Sequence, residues 1–413
     1  MSQLISRCTR CRLCNSDDIE LVLNLNPTPI ADDYIGEGRL GEIQKLYPLN
    51  LFLCHQCSYV GISDVIDSEI LYKNYLYRSS TSIDLLEHFK KLSETIISKL
   101  NPPPGSLAID IGSNDGMFLN FLKSKKLNVL GIDPAVDIAR NASENGIETL
   151  PEFFNIEFAH ELKKKRGQAS IITANNVMAN IDNLSDMIQG IYELLSTNGV
   201  FIFETGYLFD LFNNLVFDYI YHEHLSYYSV QALDEFFKLH KMELFHVERI
   251  QTKGGSLRGF VQRVDGNKPL SSSVKDFISA EKSAKINQPV FYHQLRRKLN
   301  KLKTELHYLI ADLTSQSKII AGYGASHSVT TFIYQFELNH FINFLLDDNP
   351  KKHNTYSPGS HIPVFPSEVL YEKKPDFIII FAWRFYDSII QKHQKFLDQG
   401  GHFIIPLPEI III

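Results

Sequence analysis

Three stretches of this sequence hold residue types that do chemistry at short spacing. Cys11-Arg-Leu-Cys14 and Cys54-His-Gln-Cys57 are two Cys-x2-Cys pairs separated by 39 residues. Each pair turns two thiolates toward one point. Four thiolates complete a tetrahedral zinc with no open position, so such an ion is structural, not catalytic. Reduced structural or redox cysteines are the competing reading, and Cys8 is a spare that could replace Cys11. Asp110-Ile-Gly112-Ser-Asn114-Asp-Gly116 follows an apolar strand run and opens a helix pattern. Its glycines permit a sharp turn and a close approach of backbone to ligand. Tyr221-His222-Glu223-His224 packs a phenol, two imidazoles and a carboxylate into four residues. Histidine, with an ordinary pKa of about 6.5, suits proton abstraction near neutral pH, and phenols can donate to a developing oxyanion. In an extended segment Tyr221 and Glu223 share one face and His222 and His224 the other; in an irregular one all four could converge. A second metal site at His-x-His is the alternative.

The glycine loop departs from the dinucleotide pattern G-x-G-x-x-G, because Asn114 stands where the middle glycine falls. The acid ahead of it, Asp110, suits an amino group such as that of S-adenosylmethionine. Asp133 ends the next strand, 23 residues on, where a carboxylate reaches both ribose hydroxyls. Asp110, Gly112, Asn114, Gly116 and Asp133, with Asn175 after a later strand, form the expected cofactor pocket. A nicotinamide cofactor or a merely tight turn are the alternatives. A second loop, Gly322-Tyr323-Gly324-Ala325-Ser-His-Ser328, also joins a strand to a helix and could present amides to a diphosphate. Arg258 could pair with phosphate or be a structural ion-pair partner.

The elements that must position these groups fall into three regions of the 413-residue chain. Residues 1–70 hold the cysteines and the turn-rich Asn26-Pro-Thr-Pro-Ile-Ala-Asp32. Residues 71–285 open with a helical stripe, Ile83, Leu86, Phe89, Leu92, Ile96 and Leu100, stopped by Asn101-Pro-Pro-Pro-Gly105. Short apolar strands at 107–111, 128–132, 169–174 and 199–203 then alternate with helical patterns, which predicts a parallel sheet covered on both faces. Residues 286–413 begin with a leucine-spaced helix from Leu295 to Leu313, read as packing on one domain and bridging to the next. A smaller α/β domain follows, with strands at 318–324, 341–347, 376–381 and 402–405. The expected class is α/β: a zinc-binding N-terminal domain, a central Rossmann-like domain and a smaller C-terminal α/β domain.

Composition excludes several classes. A hydrophobic fraction of 44% and a charged fraction of 21% are those of a globular chain. With 41 basic and 47 acidic residues the net charge is −6, which provides no general attraction to nucleic acid or anionic lipid. A zinc-ribbon protein that binds or modifies RNA is therefore the weaker alternative. No apolar run approaches the ~20 residues of a membrane span. All five cysteines precede residue 58, unlike a disulfide-stapled secreted chain, so a cytoplasmic location is expected.

With these motifs in hand, the sequence resembles the sugar C-methyltransferases of deoxysugar biosynthesis. The resemblance rests on Asp110–Gly116, Asp133-Pro134, Tyr221–His224 and Gly254-Gly-Ser-Leu-Arg258. It extends to Gly322-Tyr-Gly-Ala325, Asp347-Asp-Asn-Pro350, Pro358-Gly-x-His-Ile-Pro363 and Ala382-Trp383. It implies methyl transfer from S-adenosylmethionine to a ring carbon, usually C3, of a nucleotide-linked 4-keto-deoxysugar, through an enolate. It implies His224 as the base, Tyr221 and Glu223 as close partners, and a further active-site tyrosine at Tyr75 or Tyr77. It further implies a structural Zn2+, a ketosugar but no nucleic-acid or membrane partner, and a monomer. Two positions depart from the pattern. Asn180 stands where the family has histidine and is counted with the substrate-binding residues, beside Arg258, Tyr323 and Gly324. Lys253 stands where histidine is expected before Gly254. Asparagine hydrogen-bonds but does not shuttle a proton near neutral pH, so a catalytically altered, methyltransferase-fold protein that binds a sugar nucleotide is a further alternative.

Overall fold

The computed structural model describes residues 5–67, 71 and 83–413. The N-terminal region forms a four-stranded antiparallel sheet in the order 226–227, 60–62, 47–54, 19–28. Its first strand, Ser226–Tyr227, comes from far along the chain and pairs with Val60 and Gly61. It begins two residues after His224, so the Tyr221–His224 segment is bracketed between the central region and the N-terminal sheet.

The central sheet has seven strands in the order 242–250, 256–263, 195–206, 169–175, 107–111, 128–132, 149–150. The five strands from 195–206 outward are mutually parallel, and Ser256–Arg263 runs antiparallel between 195–206 and 242–250. The helix Ile83–Leu100 lays Phe89, Leu92 and Ile96 on one face of the sheet against Ala108, Ile171, Val200 and Ile202. The stripe is shorter than its spacing suggests, since Leu86 stays 47% exposed. The opposite face is covered by 184–194 and 230–239, whose buried Leu184, Ile188, Leu233 and Phe237 meet Ile109, Ile172, Phe201 and Phe203.

The leucine-spaced helix is continuous from Pro289 to Ser315 and buries Leu295, Leu299, Leu302, Leu306 and Leu313. These side chains join one core with Val22, Leu23 and Leu49 of the N-terminal sheet and Ile320, Phe332 and Leu345 of the C-terminal region. The seam is thus heterotypic core packing rather than a coiled coil. The C-terminal sheet runs 355–356, 363–366, 344–347, 320–323, 377–380, 402–405, 411–412, parallel except at its two edges. Both larger sheets use one device. A strand leads through a glycine loop into a helix, and the acid ending the neighbouring strand reaches back to a loop amide. Asp133 accepts from Asn114 N at 2.9 Å, and Asp347 from Ala325 N at 2.6 Å.

Candidate active site and metal centre

Cys11, Cys14, Cys54 and Cys57 converge in the N-terminal domain, with all four Sγ atoms within 4.8 Å of one another. Cys11 and Cys57 sulfurs are 3.5 Å apart and those of Cys14 and Cys54 3.6 Å. Zn–S bonds of about 2.3 Å in a tetrahedron place sulfurs about 3.8 Å apart, so the donor set fits zinc. Sulfurs this close cannot all ionise without a cation; Cys11 and Cys54 push the Cys57 thiol up. Cys8 turns away and donates to the Arg10 carbonyl at 2.8 Å. His55 faces Glu20 at 3.0 Å, outside the cluster.

The carboxyl ends of the central parallel strands carry the polar residues expected to hold a cofactor. Asp110 lies beside Thr173 and Gly131 in the sheet. Its Oδ1 accepts from Thr173 Oγ1 at 2.5 Å and Asn175 Nδ2 at 3.4 Å. Burial, with Asp133 nearby, still pushes its carboxyl up to about 7. Such a group gains from a neighbouring ammonium. Gly112 and Gly116 adopt φ of +71° and +75°, in the left-handed region that glycine adopts without cost. A Cβ on Gly112 would also stand 2.3 Å from Val177 Cγ2. Asp133 bridges loop and helix, taking amides of Asn114 and Ala135 on its two oxygens. Buried Ser113 Oγ and Asn175 Oδ1 have no hydrogen-bond partner among the described residues, leaving polar capacity for a ligand.

The Tyr221–His224 segment is irregular, and this decides which side chains meet. His224 N bonds back to the Tyr221 carbonyl at 3.0 Å, which brings residues 221 and 224 together. Nδ1–H of His224 donates to the Tyr219 carbonyl at 3.2 Å. A carbonyl only accepts, so this contact fixes the tautomer and leaves Nε2 as the lone-pair nitrogen. Nε2 accepts from Tyr221 Oη at 3.0 Å, with ring centroids 4.2 Å apart. Burial, and then the charge of Lys253, drive the His224 pKa down to about 3. The imidazole is neutral across the physiological range. Glu223 is 6% exposed, and its Oε2 has no hydrogen-bond partner among the described residues. Burial raises its pKa, opposed by His327.

Neighbouring domains clamp this segment. Thr331 donates to the Ile220 carbonyl at 2.8 Å, and Arg384 and Trp383 bond the buried Asp218 at 3.0 and 3.3 Å. From the N-terminal side, the Pro48 carbonyl accepts from His222 Nε2 at 3.1 Å. Electrostatic and cross-strand links run from the base candidate toward the cofactor candidates. Lys253 acts electrostatically on both His224 and Glu204. Glu204 pairs across strands with Asn175, whose amide reaches Asp110. Asn180 closes the short turn Met178–Asn180 after Asn175, and Tyr228 Oη donates to the Met178 carbonyl at 2.8 Å.

Several residues expected at the site are turned elsewhere. His222 is fully buried, and its orientation toward Pro48 and the Tyr47 ring directs it into the N-terminal sheet. Burial lowers its pKa to about 4, which marks a neutral core histidine. Arg258, expected to meet substrate, is 5% exposed and occupied by Glu204 at 2.6 Å and Glu248 at 3.2 Å. The antiparallel strand 256–263 aims it at carboxylates across the sheet, so the ion-pair alternative holds. Tyr323 is 3% exposed, and its hydroxyl contacts Asp348 at 2.9 Å and His393 at 3.2 Å inside the C-terminal domain. Gly324 N is held by the Leu346 carbonyl at 2.7 Å. Tyr75 and Tyr77 lie outside the described residues. Sequence reasoning passed over His88, whose Nε2 stands 2.6 Å from Glu204, and His327, whose ring centroid is 5.2 Å from that of Tyr221. His88 carries only a helix-surface spacing in the sequence; His327 lies within the second glycine loop already noted.

Comparison with known proteins accounts for all three regions. Residues 11–72 match a zinc binding domain family, 84–244 a methyltransferase domain family, and 251–408 a C-methyltransferase C-terminal domain family. The C-methyltransferase NovU of Streptomyces niveus is 28% identical over 414 residues, spanning 100% of this chain and 99% of its own length. Among solved structures, a Pyrococcus horikoshii protein aligns with 48% of this chain and 100% of its own at 14% identity and a TM-score of 0.38. Magnesium protoporphyrin IX methyltransferase of Synechocystis, solved with bound S-adenosylmethionine, covers 47% of this chain and 88% of its own at 12% identity and a TM-score of 0.34. A four-sulfur metal centre, three matching domains in sequence and a full-length similarity to a C-methyltransferase support an S-adenosylmethionine-dependent C-methyltransferase with a zinc-binding N-terminal domain.

Proposed function

We propose that the chain transfers the methyl group of S-adenosylmethionine to C3 of a nucleotide-linked 4-keto-deoxysugar, through an enolate. The observation that carries this reading is the His224 imidazole, pinned at Nδ1 by a carbonyl and presenting a neutral Nε2 beside a phenol. Carbon next to a ketone becomes nucleophilic only once its proton is removed. Nε2 is the acceptor for that proton, directly or through the Tyr221 hydroxyl on which it rests. The C–H electrons move to the carbonyl oxygen, and a donor is needed there as charge develops. Tyr221 supplies a hydroxyl, and the new imidazolium, though disfavoured by burial, is stabilised by the enolate it creates. The enolate carbon then bonds to the methyl carbon as the S–C bond breaks, and S-adenosylhomocysteine leaves. The proton on His224 passes to solvent.

S-adenosylmethionine supplies the electrophilic methyl when bound. Asp110 would hold its ammonium, Asp133 its ribose hydroxyls, and Gly112, Asn114 and Gly116 the close backbone, with Asn175 beside Asp110. Glu223 supports the Tyr221–His224 pair. Asn180 takes part in binding by hydrogen bonding, without the proton transfer a histidine would offer. The division into 1–70, 71–285 and 286–413 belongs to this reading, with zinc structural in the first part.

The test is a panel of dTDP-, UDP- and GDP-linked 4-keto-deoxyhexoses incubated with methyl-labelled S-adenosylmethionine. A labelled methyl bonded to sugar carbon in one of them, with exchange of the C3 proton for deuterium in heavy water, is the expected result. Label on oxygen, or none on any member of the panel, would overturn the proposal.

A further inference from the structure

The C-terminal domain contributes an imidazole to the catalytic segment. His327 is the first residue of the helix His327–Gln335, and this helix is fastened on two sides. Thr330 donates to the Ala31 carbonyl at 2.7 Å, and Thr331 to the Ile220 carbonyl at 2.8 Å. Those bonds tie it to the N-terminal Pro-Ile-Ala-Asp stretch and to the 217–224 segment together. The His327 ring therefore arrives with little freedom. Its centroid stands 5.2 Å from that of Tyr221, its Nε2 3.9 Å from Glu223 Oε1, and its Nδ1 3.6 Å from Asp32 Oδ1. Asp32 is in turn held by Lys352 Nζ at 2.5 Å, and that ammonium sits over the Tyr34 ring. The side chain of His327 keeps 30% exposure, more than a core histidine has.

Glu223 gives this placement a purpose. Its Oε2 is buried and unpartnered among the described residues, and a carboxyl in that state is costly unless something orients or neutralises it. Among the described residues, His327 faces its other oxygen at 3.9 Å. We propose that His327 is a positioning residue of the active site, which sets Glu223 and the Tyr221 ring against His224 and is itself aligned by Asp32 and Lys352. This rests on the assignment of His224 and Tyr221 above. It adds that the catalytic segment is competent only when all three domains are docked, because Asp32, Glu223 and His327 each come from a different one.

The test uses the full-length zinc-loaded enzyme and the sugar nucleotide that the panel identifies. His327→Ala is expected to lower kcat for methyl transfer and the rate of C3 deuterium exchange by the same factor, roughly 10- to 100-fold. The sugar KM should stay within about threefold, and S-adenosylhomocysteine affinity and Tm should not move. His327→Gln, which keeps a hydrogen-bonding group of similar reach, should recover part of the loss. Asp32→Asn should also lower kcat, and the double variant should be no slower than His327→Ala alone, since both act along one path. Wild-type kcat in His327→Ala, strictly multiplicative losses in the double variant, or losses matched by a fall in Tm would each overturn the inference. His224→Ala, measured in parallel, separates the two claims. Persistent exchange in that variant removes the base assignment and with it the inference, whereas its loss beside a fully active His327→Ala removes only the positioning role.

Discussion

Two histidines separated by one residue have opposite fates. His224 is half-buried with one nitrogen pinned and one accepting. His222 is sealed beneath the N-terminal sheet. His224→Ala should reduce methyl transfer by at least roughly 100-fold while leaving S-adenosylhomocysteine binding, read by calorimetry, unchanged. His222→Gln should leave chemistry nearly intact and act on stability instead. Because the folded-state pKa of His222 is depressed to about 4, the folded and unfolded states are both neutral above about 6.5. As pH falls, the unfolded chain takes the proton first, so stability drops until about pH 4 and then levels off. The stability advantage of wild type over His222→Gln should therefore shrink by about 1.4 kcal/mol per pH unit between pH 6 and 4. Denaturant titrations at each pH measure it; parallel curves for the two proteins would contradict the assignment. Of the two readings, the extended one, which groups His222 with His224, does not apply, and the irregular one applies only in part, since His222 turns away. The His224 N to Tyr221 carbonyl turn breaks that period and pairs 221 with 224 instead.

At the scale of elements, the cofactor loop depends on a backbone conformation and on a close approach. Gly112→Ala meets both a φ of +71° and the Val177 side chain. It should cost about 1–3 kcal/mol of stability and weaken S-adenosylhomocysteine binding by at least about tenfold. Adding Val177→Ala should relieve the steric part and leave about 1 kcal/mol of conformational cost. A Gly112→Ala protein with wild-type affinity would show that the loop does not approach the ligand. The loop and its helix were legible from strand run, glycines and periodicity, because these depend on local sterics. The strands Met242–Ile250 and Ser256–Arg263 were not anticipated. They form an antiparallel pair whose partner strand lies some 50 residues upstream, and pairing across that distance has no local signature. The Arg258 ion pairs followed from this strand: the sequence left phosphate and a structural ion pair open for Arg258, and the strand decided for Glu204 and Glu248.

The whole molecule is a three-domain assembly converging on one short segment. Zinc removal tests that coupling. Chelation should release one zinc per chain, lower the first unfolding transition by roughly 10 °C or more, and reduce methyl transfer, because the N-terminal domain carries Asp32 and the Pro48 anchor. Calorimetry with and without chelator measures the first effect; unaltered turnover in the metal-free protein would show that the domain is not needed for catalysis. The residue types and short spacings alone determined the four-thiolate centre, the glycine loop with its flanking acids and the alternation of strands and helices. Each is signalled by short local patterns, although the two cysteine pairs stand 39 residues apart and Asp110 and Asp133 23. Only the tertiary structure decided that His224 faces Tyr221, that His222 and Arg258 are interior, and that His327 from 100 residues away joins Glu223 and Asp32. Those outcomes depend on which surfaces are buried together when the 217–224 segment is clamped between domains. Burial sets both the orientation and the protonation of a side chain, through contacts that no spacing along the chain records.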